Sequence, residues 1–122
     1  MSTLYERLGG EKAIDMVVDK FYDHVMADNR IRHFFSNVNM DELREHQKRF
    51  VSHAFGGPSE YSGQSLRDAH RHLVEEAGLS DEHFDAVLED LAQALRDAEV
   101  DDQLIEEAAA IVESQRNEVL NR

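Results

Sequence analysis

The sequence predicts an all-α fold. Its 122 residues include one Pro and no Trp, and Ala, Leu, Glu and Arg, which are strong helix formers, are abundant. Apolar residues recur at helical spacing along several segments, and no segment alternates apolar and polar residues as a half-buried strand does. We therefore expect a single domain over residues 1–122, a globule of about five or six helices that bury their apolar stripes against one another.

The first two helices are expected before residue 30. Thr3 and Glu6 have the spacing of a capping box that opens a short first helix, and a pair of glycines ends it. Residues 12–28 are expected to form the second helix, with Tyr22 at the flank of its apolar face. That face consists of Ile14, Val17, Val18, Phe21 and Val25.

The third helix, within residues 40–55, has polar side chains on the face that should enter the core. At about 100° per residue its apolar residues span about 40°, and they are Leu43, Phe50 and Ala54. Gln47 falls in the middle of this stripe, and His46 lies about 40° beyond Phe50. A glycine-rich loop that contains Tyr61 follows the helix.

The fourth helix, over residues 66–77, repeats this anomaly. His70 lies near the centre of its apolar face, whereas His72 lies on the opposite side and is expected in solvent. Ser65 is expected to cap this helix and Ser80 the next one. A last helix is expected over about residues 102–120. The remaining histidines, His24, His33, His53, His72 and His83, are interpreted as partly exposed and without a chemical role.

The two inward imidazoles limit the kinds of site that the chain can form. Polar groups buried without partners cost about 1–3 kcal/mol each, so they must pair with one another or with a bound group. The chain has no Cys and no inward Glu-x-x-His pair, which disfavours a structural zinc site and a di-iron site. Haem brings four nitrogens of its own and needs one or two protein ligands. A haem site and a cofactor-free helical binding module therefore both remain open.

Six sequence segments carry a family resemblance. They are LYERLGG, DKFYDHV, RIRHFF, EHQKRF, AFGGPSEYSG and LRDAHRHLVE. With them the chain resembles the group 1 truncated (2-on-2) haemoglobins, most closely the cyanobacterial type, over nearly all of its length. The resemblance implies a two-over-two helical sandwich with haem b inside.

The resemblance also implies roles for individual residues. His70 corresponds to the proximal iron ligand, and Phe35 to the ring that packs on the haem face. Tyr22 and Gln47 correspond to distal hydrogen-bond donors to bound oxygen. His46 corresponds to the distal histidine that becomes a sixth iron ligand when no gas is bound.

Further residues are expected to contact haem. The expected pocket lining comprises Leu43, Phe50, Leu66, Leu73, Val87 and Leu91. Three cations, Arg44, Lys48 and Arg67, are either propionate partners or ordinary surface charges, and Tyr61 is a further candidate contact. Cyanobacterial relatives often carry Gln where this chain has Leu43. Some relatives bond haem covalently through a His near the C-terminus, but no His follows His83 here, so we expect non-covalent haem.

The composition excludes several function classes. A net charge of −13, from 26 acidic and 13 basic residues, disfavours binding to nucleic acids and anionic membranes. There is no apolar run of membrane-spanning length and no secretory signal, so we expect a cytoplasmic protein, and its charged exterior favours a monomer.

Two haem-based functions are expected. The leading one is reversible binding of O₂, NO and CO, with dioxygenation of NO to nitrate. A separate reductase would be required, because the chain has no nucleotide-binding glycine motif. The alternative is electron transfer or redox sensing through a haem that both His46 and His70 ligate.

Overall fold

The computed structural model describes residues 2–58 and 66–122. Within these ranges the chain forms seven α-helices and one 3₁₀ helix, and no strand, so the prediction of an all-helical fold is confirmed. The α-helices are α1 (Leu4–Leu8), α2 (Glu11–Ala27), α3 (Met40–Ala54), α4 (Leu66–Ala77), α5 (Asp81–Asp97), α6 (Asp102–Glu113) and α7 (Arg116–Val119), and the 3₁₀ helix is Arg32–Phe35. None of the described helices combines the length and the hydropathy needed to cross a bilayer.

The core lies where α2 crosses α5. Helix α2 also packs on α3, and α5 also packs on α6. The most deeply buried side chains of the described residues include Ile14, Val17, Val18 and Val25, which belong to the predicted apolar face of α2. Facing them in the same cluster are Ala86, Leu91, Ala94 and Leu95 of α5.

Three helices begin at side-chain caps. Thr3 Oγ1 accepts a hydrogen bond from the backbone N–H of Glu6 at 3.1 Å, as the predicted cap requires. Ser80 caps α5 together with His83, whose Nδ1 accepts a hydrogen bond from the Ser80 N–H at 3.1 Å. Asn39 caps α3 by accepting from two backbone N–H groups, a cap that the sequence analysis did not identify. The expected cap at Ser65 lies outside the described residues.

Directly after α3, the chain packs closely against α1. The Tyr5 N–H donates to the Phe55 carbonyl oxygen at 2.9 Å, which ties α1 to the end of α3. At Gly57 a Cβ atom would lie 2.7 Å from the Tyr5 ring. A side chain at position 57 would therefore displace α1, which explains the glycine at this point.

The last predicted helix is interrupted, so the expectation of one helix over residues 102–120 is wrong. Ser114 Oγ donates to the Ile111 carbonyl oxygen at 2.5 Å, and the Gln115 N–H bonds to Val112 rather than to Ile111. These bonds tighten the last turn and end α6. Helix α7 then begins at Arg116. No glycine or proline marks this break in the sequence.

Asp90 is a buried carboxyl in the middle of α5. It is 9% exposed, and its Oδ2 has no hydrogen-bond partner among residues 2–58 and 66–122. Burial and a hydrogen bond with the Asp28 carboxylate raise the pKa of Asp90 to about 7. The Arg30 guanidinium donates to Asp28 at 2.8 Å and holds the pKa of Asp28 well below its usual range. Near pH 6 the pair therefore holds one proton, on Asp90.

We expect the contribution of Asp90 to the stability of the protein to fall as the pH rises from about 4 to about 7. In this range the folded Asp90 keeps its proton, whereas the unfolded residue, with an ordinary pKa of 3.8, has lost it. Asp90→Asn retains a hydrogen-bond donor and cannot ionise. At pH 8 its free energy of unfolding should exceed that of the wild type by about 1–3 kcal/mol, with little difference at pH 4.

Urea unfolding at pH 4, 6 and 8 measures this effect. Glu106→Gln, which removes an exposed carboxylate from α6, is the control and should keep the wild-type pH dependence. An Asp90→Asn variant with the same pH dependence as the wild type would rule out a protonated Asp90.

Candidate haem site

A cleft lies between α3 and α4. Its volume is about 460 Å³, and α6 and α7 complete its wall. The lining residues are Phe50, His53, Ala54, Leu66, Ile111, Gln115 and Glu118. Two of them, Phe50 and Leu66, were expected in the site. Ile111 and Gln115 were not expected in the site, and no feature of the sequence indicated Gln115.

The candidate ligands stand on the two helices that line this cleft. Gln47 and His46 precede Phe50 by about one turn of α3, and His70 follows Leu66 by about one turn of α4. All three candidate side chains are half-buried. None of the three is among the residues that line the cleft itself, so their assignment to a haem site stays a prediction.

His70 has the chemistry of a metal ligand. Its Nδ1 lies 2.8 Å from the carbonyl oxygen of Leu66, and because a carbonyl oxygen only accepts, Nδ1 must carry the proton. Burial lowers the pKa of His70, which favours the neutral ring. The neutral ring protonated at Nδ1 keeps a lone pair on Nε2, the atom that a metal ion requires.

Tyr22, predicted at the flank of the apolar face of α2, is buried in the core. It is 3% exposed, and its ring packs edge-on against Phe21 and Phe35, with centroids 4.8 and 6.0 Å apart. The rings of Phe21 and Phe35 thus give the Tyr22 ring an apolar environment. Burial raises the pKa of Tyr22 above its usual value, so the phenol remains a hydrogen-bond donor over the whole physiological range.

The three candidate propionate partners already contact other protein groups. Arg44 donates to the Asp19 carbonyl oxygen at 3.0 Å and its Cζ lies 5.7 Å from the centre of the Tyr22 ring. Lys48 Nζ lies 3.5 Å from Asp19 Oδ1. Arg67 forms an ion pair with Glu118 at 3.2 Å. These contacts link helices, and a haem propionate would have to compete with them.

Of the expected apolar lining, Phe50 and Leu66 line the cleft, whereas Leu43 and Val87 pack against the core. Leu91 is buried at 9% exposure in the cluster where α5 meets α2. The others are half-buried, and they are Leu43, Phe50, Leu66, Leu73 and Val87. Tyr61 lies outside the described residues.

Of the remaining histidines, His53 lines the cleft, although the sequence assigned it no role. His72 is exposed, as expected. His24 Nε2 lies 2.6 Å from Asp97 Oδ2, and His33 stacks on Phe34 with centroids 4.2 Å apart. Within residues 2–58 and 66–122, no group of three or more His, Asp or Glu side chains could hold a metal ion by itself. A cofactor that needs one imidazole fits these residues better than a bare ion does.

Known proteins match the chain over its whole length. The family model described as bacterial-like globin matches residues 3–121. A group 1 truncated haemoglobin from Synechocystis is 51% identical over 124 residues that cover 100% of both chains. The chain belongs to the group 1 truncated haemoglobins. Another member, from Tetrahymena pyriformis, is 40% identical and covers 98% of this chain and 96% of its own.

Solved structures of truncated haemoglobins share the fold. The 2/2 haemoglobin of a Synechococcus species, in the cyanomet state and with covalently attached haem, has a TM-score of 0.95 and 48% identity, covering 99% of this chain and 100% of its own. The predicted two-over-two sandwich is therefore confirmed. Membership in this family makes haem the cofactor and diatomic gases the ligand class, and the cofactor-free binding module is no longer an alternative.

Proposed function

We propose that this truncated haemoglobin holds a non-covalent haem b in the cleft between α3 and α4, with His70 as the proximal iron ligand. The observation that carries the proposal is the hydrogen bond between His70 Nδ1 and the Leu66 carbonyl oxygen, 2.8 Å long. It fixes the tautomer and orients the ring, as the hydrogen-bond partner of a metal-binding histidine does. The same bond strengthens Nε2 as an electron donor.

We further propose that Tyr22 and Gln47 bind a diatomic ligand from the α2–α3 side. The Tyr22 phenol is held by the rings of Phe21 and Phe35, so its hydroxyl is oriented before a ligand arrives. Gln47 brings an amide N–H from α3. Two oriented donors favour a ligand that gains negative charge on binding, which O₂ does.

The proposed reaction is reversible binding of O₂, NO and CO, followed by dioxygenation of NO. Haem iron supplies the gas-binding position and the one electron that is needed when one NO and one O₂ combine to form one nitrate ion. A separate reductase must return that electron, because no glycine-rich nucleotide motif occurs in the sequence. The protein side chains contribute orientation of the gas and exclusion of water.

Optical spectra of the purified protein test this function. The ferric, ferrous and carbonyl forms should each show a haem absorption spectrum. Addition of NO to the oxygenated protein should convert it to the ferric form and yield about one nitrate per haem. Nitrate formation no faster than in a solution of free haemin would exclude the dioxygenase activity while leaving gas binding intact.

A second function, electron transfer or redox sensing, is favoured by the placement of His46. His46 is on α3 and His70 is on α4, the two helices that line the cleft. If both imidazoles bind the iron in the absence of gas, the ferric and ferrous spectra are low-spin. This state is compatible with gas binding, since a gas would displace His46.

The His46→Leu variant should therefore have a high-spin ferric spectrum and a five-coordinate ferrous spectrum. The comparison requires that the wild-type spectrum is low-spin in both the ferric and the ferrous state. His72→Leu, which removes an exposed imidazole from α4, should leave both spectra unchanged. If the spectra of His46→Leu and the wild type are the same, His46 is not an iron ligand.

Non-covalent attachment is proposed although the Synechococcus protein has been seen with covalently attached haem. In the relatives that bond haem covalently through an imidazole, the histidine lies near the C-terminus, and no histidine follows His83 in this sequence. The side chain that lines the cleft before α7 is Gln115, an unreactive amide. Acid–acetone should therefore extract all of the haem as unmodified protohaem. Pigment that precipitates with the chain would contradict this expectation.

We also propose that the protein is a cytoplasmic monomer. The large apolar side chains that the described chain exposes, Met16, Met26 and Val38, are single residues on different turns or elements, which is normal for a monomer surface. The absence of Cys is compatible with a reducing compartment.

A further inference from the structure

Helix α4 carries His70 but contributes little to the core. None of its residues, all of which are described, is buried. Among the described elements, α4 packs most extensively on α7. The orientation of His70 must therefore depend on contacts that are formed outside the core.

The contacts come from residues 116–122, which we call the C-terminal clamp. The Arg67 guanidinium forms an ion pair with Glu118 at 3.2 Å and donates to the Arg122 carbonyl oxygen at 2.8 Å. In return, Asn121 Nδ2 donates to the Arg67 carbonyl oxygen at 3.0 Å. The clamp thus holds both the side chain and the backbone of Arg67, which precedes His70 by about one turn.

The clamp is itself attached to the core helix α5. Arg116 donates to Asp85 at 2.6 Å and to Asp81 at 3.1 Å, and its Cζ lies 4.6 Å from the centre of the Phe84 ring. The Arg122 guanidinium makes two further bonds to Asp81, of 2.6 and 2.9 Å. The clamp therefore connects α4 to the start of α5.

We propose that Arg67 and Asn121 are positioning residues for His70, acting through the C-terminal clamp. They fix the first half of α4 relative to α5, and thereby the direction in which Nε2 of His70 points. The inference rests on the proposed iron ligation by His70. It assigns Arg67 a role that differs from both alternatives expected from the sequence, a propionate contact and an ordinary surface charge.

Two variants open the clamp in different ways. Asn121 has φ 59°, a left-handed conformation that glycine adopts freely, so Asn121→Gly removes the side-chain bond without straining the backbone. Arg67→Gln removes the cation. Arg71→Gln is the matched control, because the ion pair of Arg71 is with Asp68 of the same helix and does not reach the clamp.

Three readouts are taken on the haem-bound protein. Amide hydrogen exchange of α4 in the carbonyl form should become about 3- to 10-fold faster in both clamp variants, the effect of losing one hydrogen bond, with exchange in α2 and α5 unchanged. Haem transfer to an excess of apomyoglobin should accelerate by a similar factor. In the cyanide form, the hyperfine shifts of the His70 ring protons, which report the orientation of the ring on the iron, should move.

The outcomes separate this inference from the proposed function. Unchanged α4 exchange in Asn121→Gly overturns the inference, and so does faster exchange with unaltered His70 shifts and haem transfer. An effect confined to Arg67→Gln also overturns it, since that result is expected of a propionate contact. If the wild-type protein shows no hyperfine-shifted His70 ring, the proposed iron ligation fails instead.

Discussion

Replacement of His70 by Gly should weaken haem binding by about 100-fold or more, and added imidazole should restore it. Loss of an outer-shell partner of a metal ligand already costs about 10- to 100-fold in affinity, so loss of the only proximal ligand should cost more. The cavity left by the side chain lies next to the Leu66 carbonyl oxygen, which can accept the N–H of a free imidazole. We therefore expect rescue by a small ligand that, like imidazole, has one nitrogen to donate to this oxygen and a second nitrogen to bind the iron.

Titration of each apoprotein with haemin, with and without imidazole, measures the effect. His72→Gly is the matched control, since it places a glycine in the interior of the same helix and carries the same helix penalty of about 1 kcal/mol. It should bind haemin as the wild type does. A His70→Gly protein that stays tightly pigmented without imidazole would contradict the assignment of the proximal ligand.

The second large effect is expected from the double variant Tyr22→Phe/Gln47→Leu. Hydrogen bonds to a charged or partly charged acceptor contribute about 1.5–3 kcal/mol, so the loss of both donors should raise the rate of O₂ dissociation by about 100-fold or more. Phe at position 22 keeps the packing against Phe21 and Phe35. The effect should therefore come from lost donors and not from a disordered core.

Replacement of bound O₂ by CO in a stopped-flow experiment gives this rate. The dissociation rate of CO, a weaker hydrogen-bond acceptor, should change much less in the same variant. Tyr5→Phe serves as the control, because it removes a phenol hydroxyl from α1, where the Tyr5 ring packs against Gly57, and Tyr5 is not assigned as a donor. An O₂ dissociation rate that is unchanged in the double variant would remove the roles assigned to Tyr22 and Gln47.

The apolar stripes made most of the fold predictable from the sequence. The observed bounds of α4, Leu66–Ala77, are the predicted ones. The polar interruptions at Gln47, His46 and His70 are on α3 and α4, two of the helices that line the cleft, although none of the three lines it. The break after Ser114 was not predictable, because it depends on one local side-chain bond and not on a strong helix breaker. The burial of Tyr22 also could not be read from its stripe alone, because Phe35 covers it from a separate element.

The partners of long charged side chains were the least predictable feature of the site. The sequence placed Arg44, Lys48 and Arg67 at the edges of the two helices, but each can reach several carboxylates in a chain with 26 acidic residues. Only the fold brings Asp19 beside Arg44 and Glu118 beside Arg67. Small differences in distance then decide the pairing, since exposed ion pairs differ by less than about 1 kcal/mol.

Proton NMR of the ferric protein with cyanide bound tests the coordination of iron by position 70 most directly. One imidazole should show strongly hyperfine-shifted ring protons, with a slowly exchanging Nδ1–H because that proton is donated to the Leu66 carbonyl oxygen. Its signals should disappear in His70→Gly and persist in His72→Gly. A shifted imidazole that belongs to another histidine, or a spectrum with no shifted imidazole at all, would contradict the proposed site.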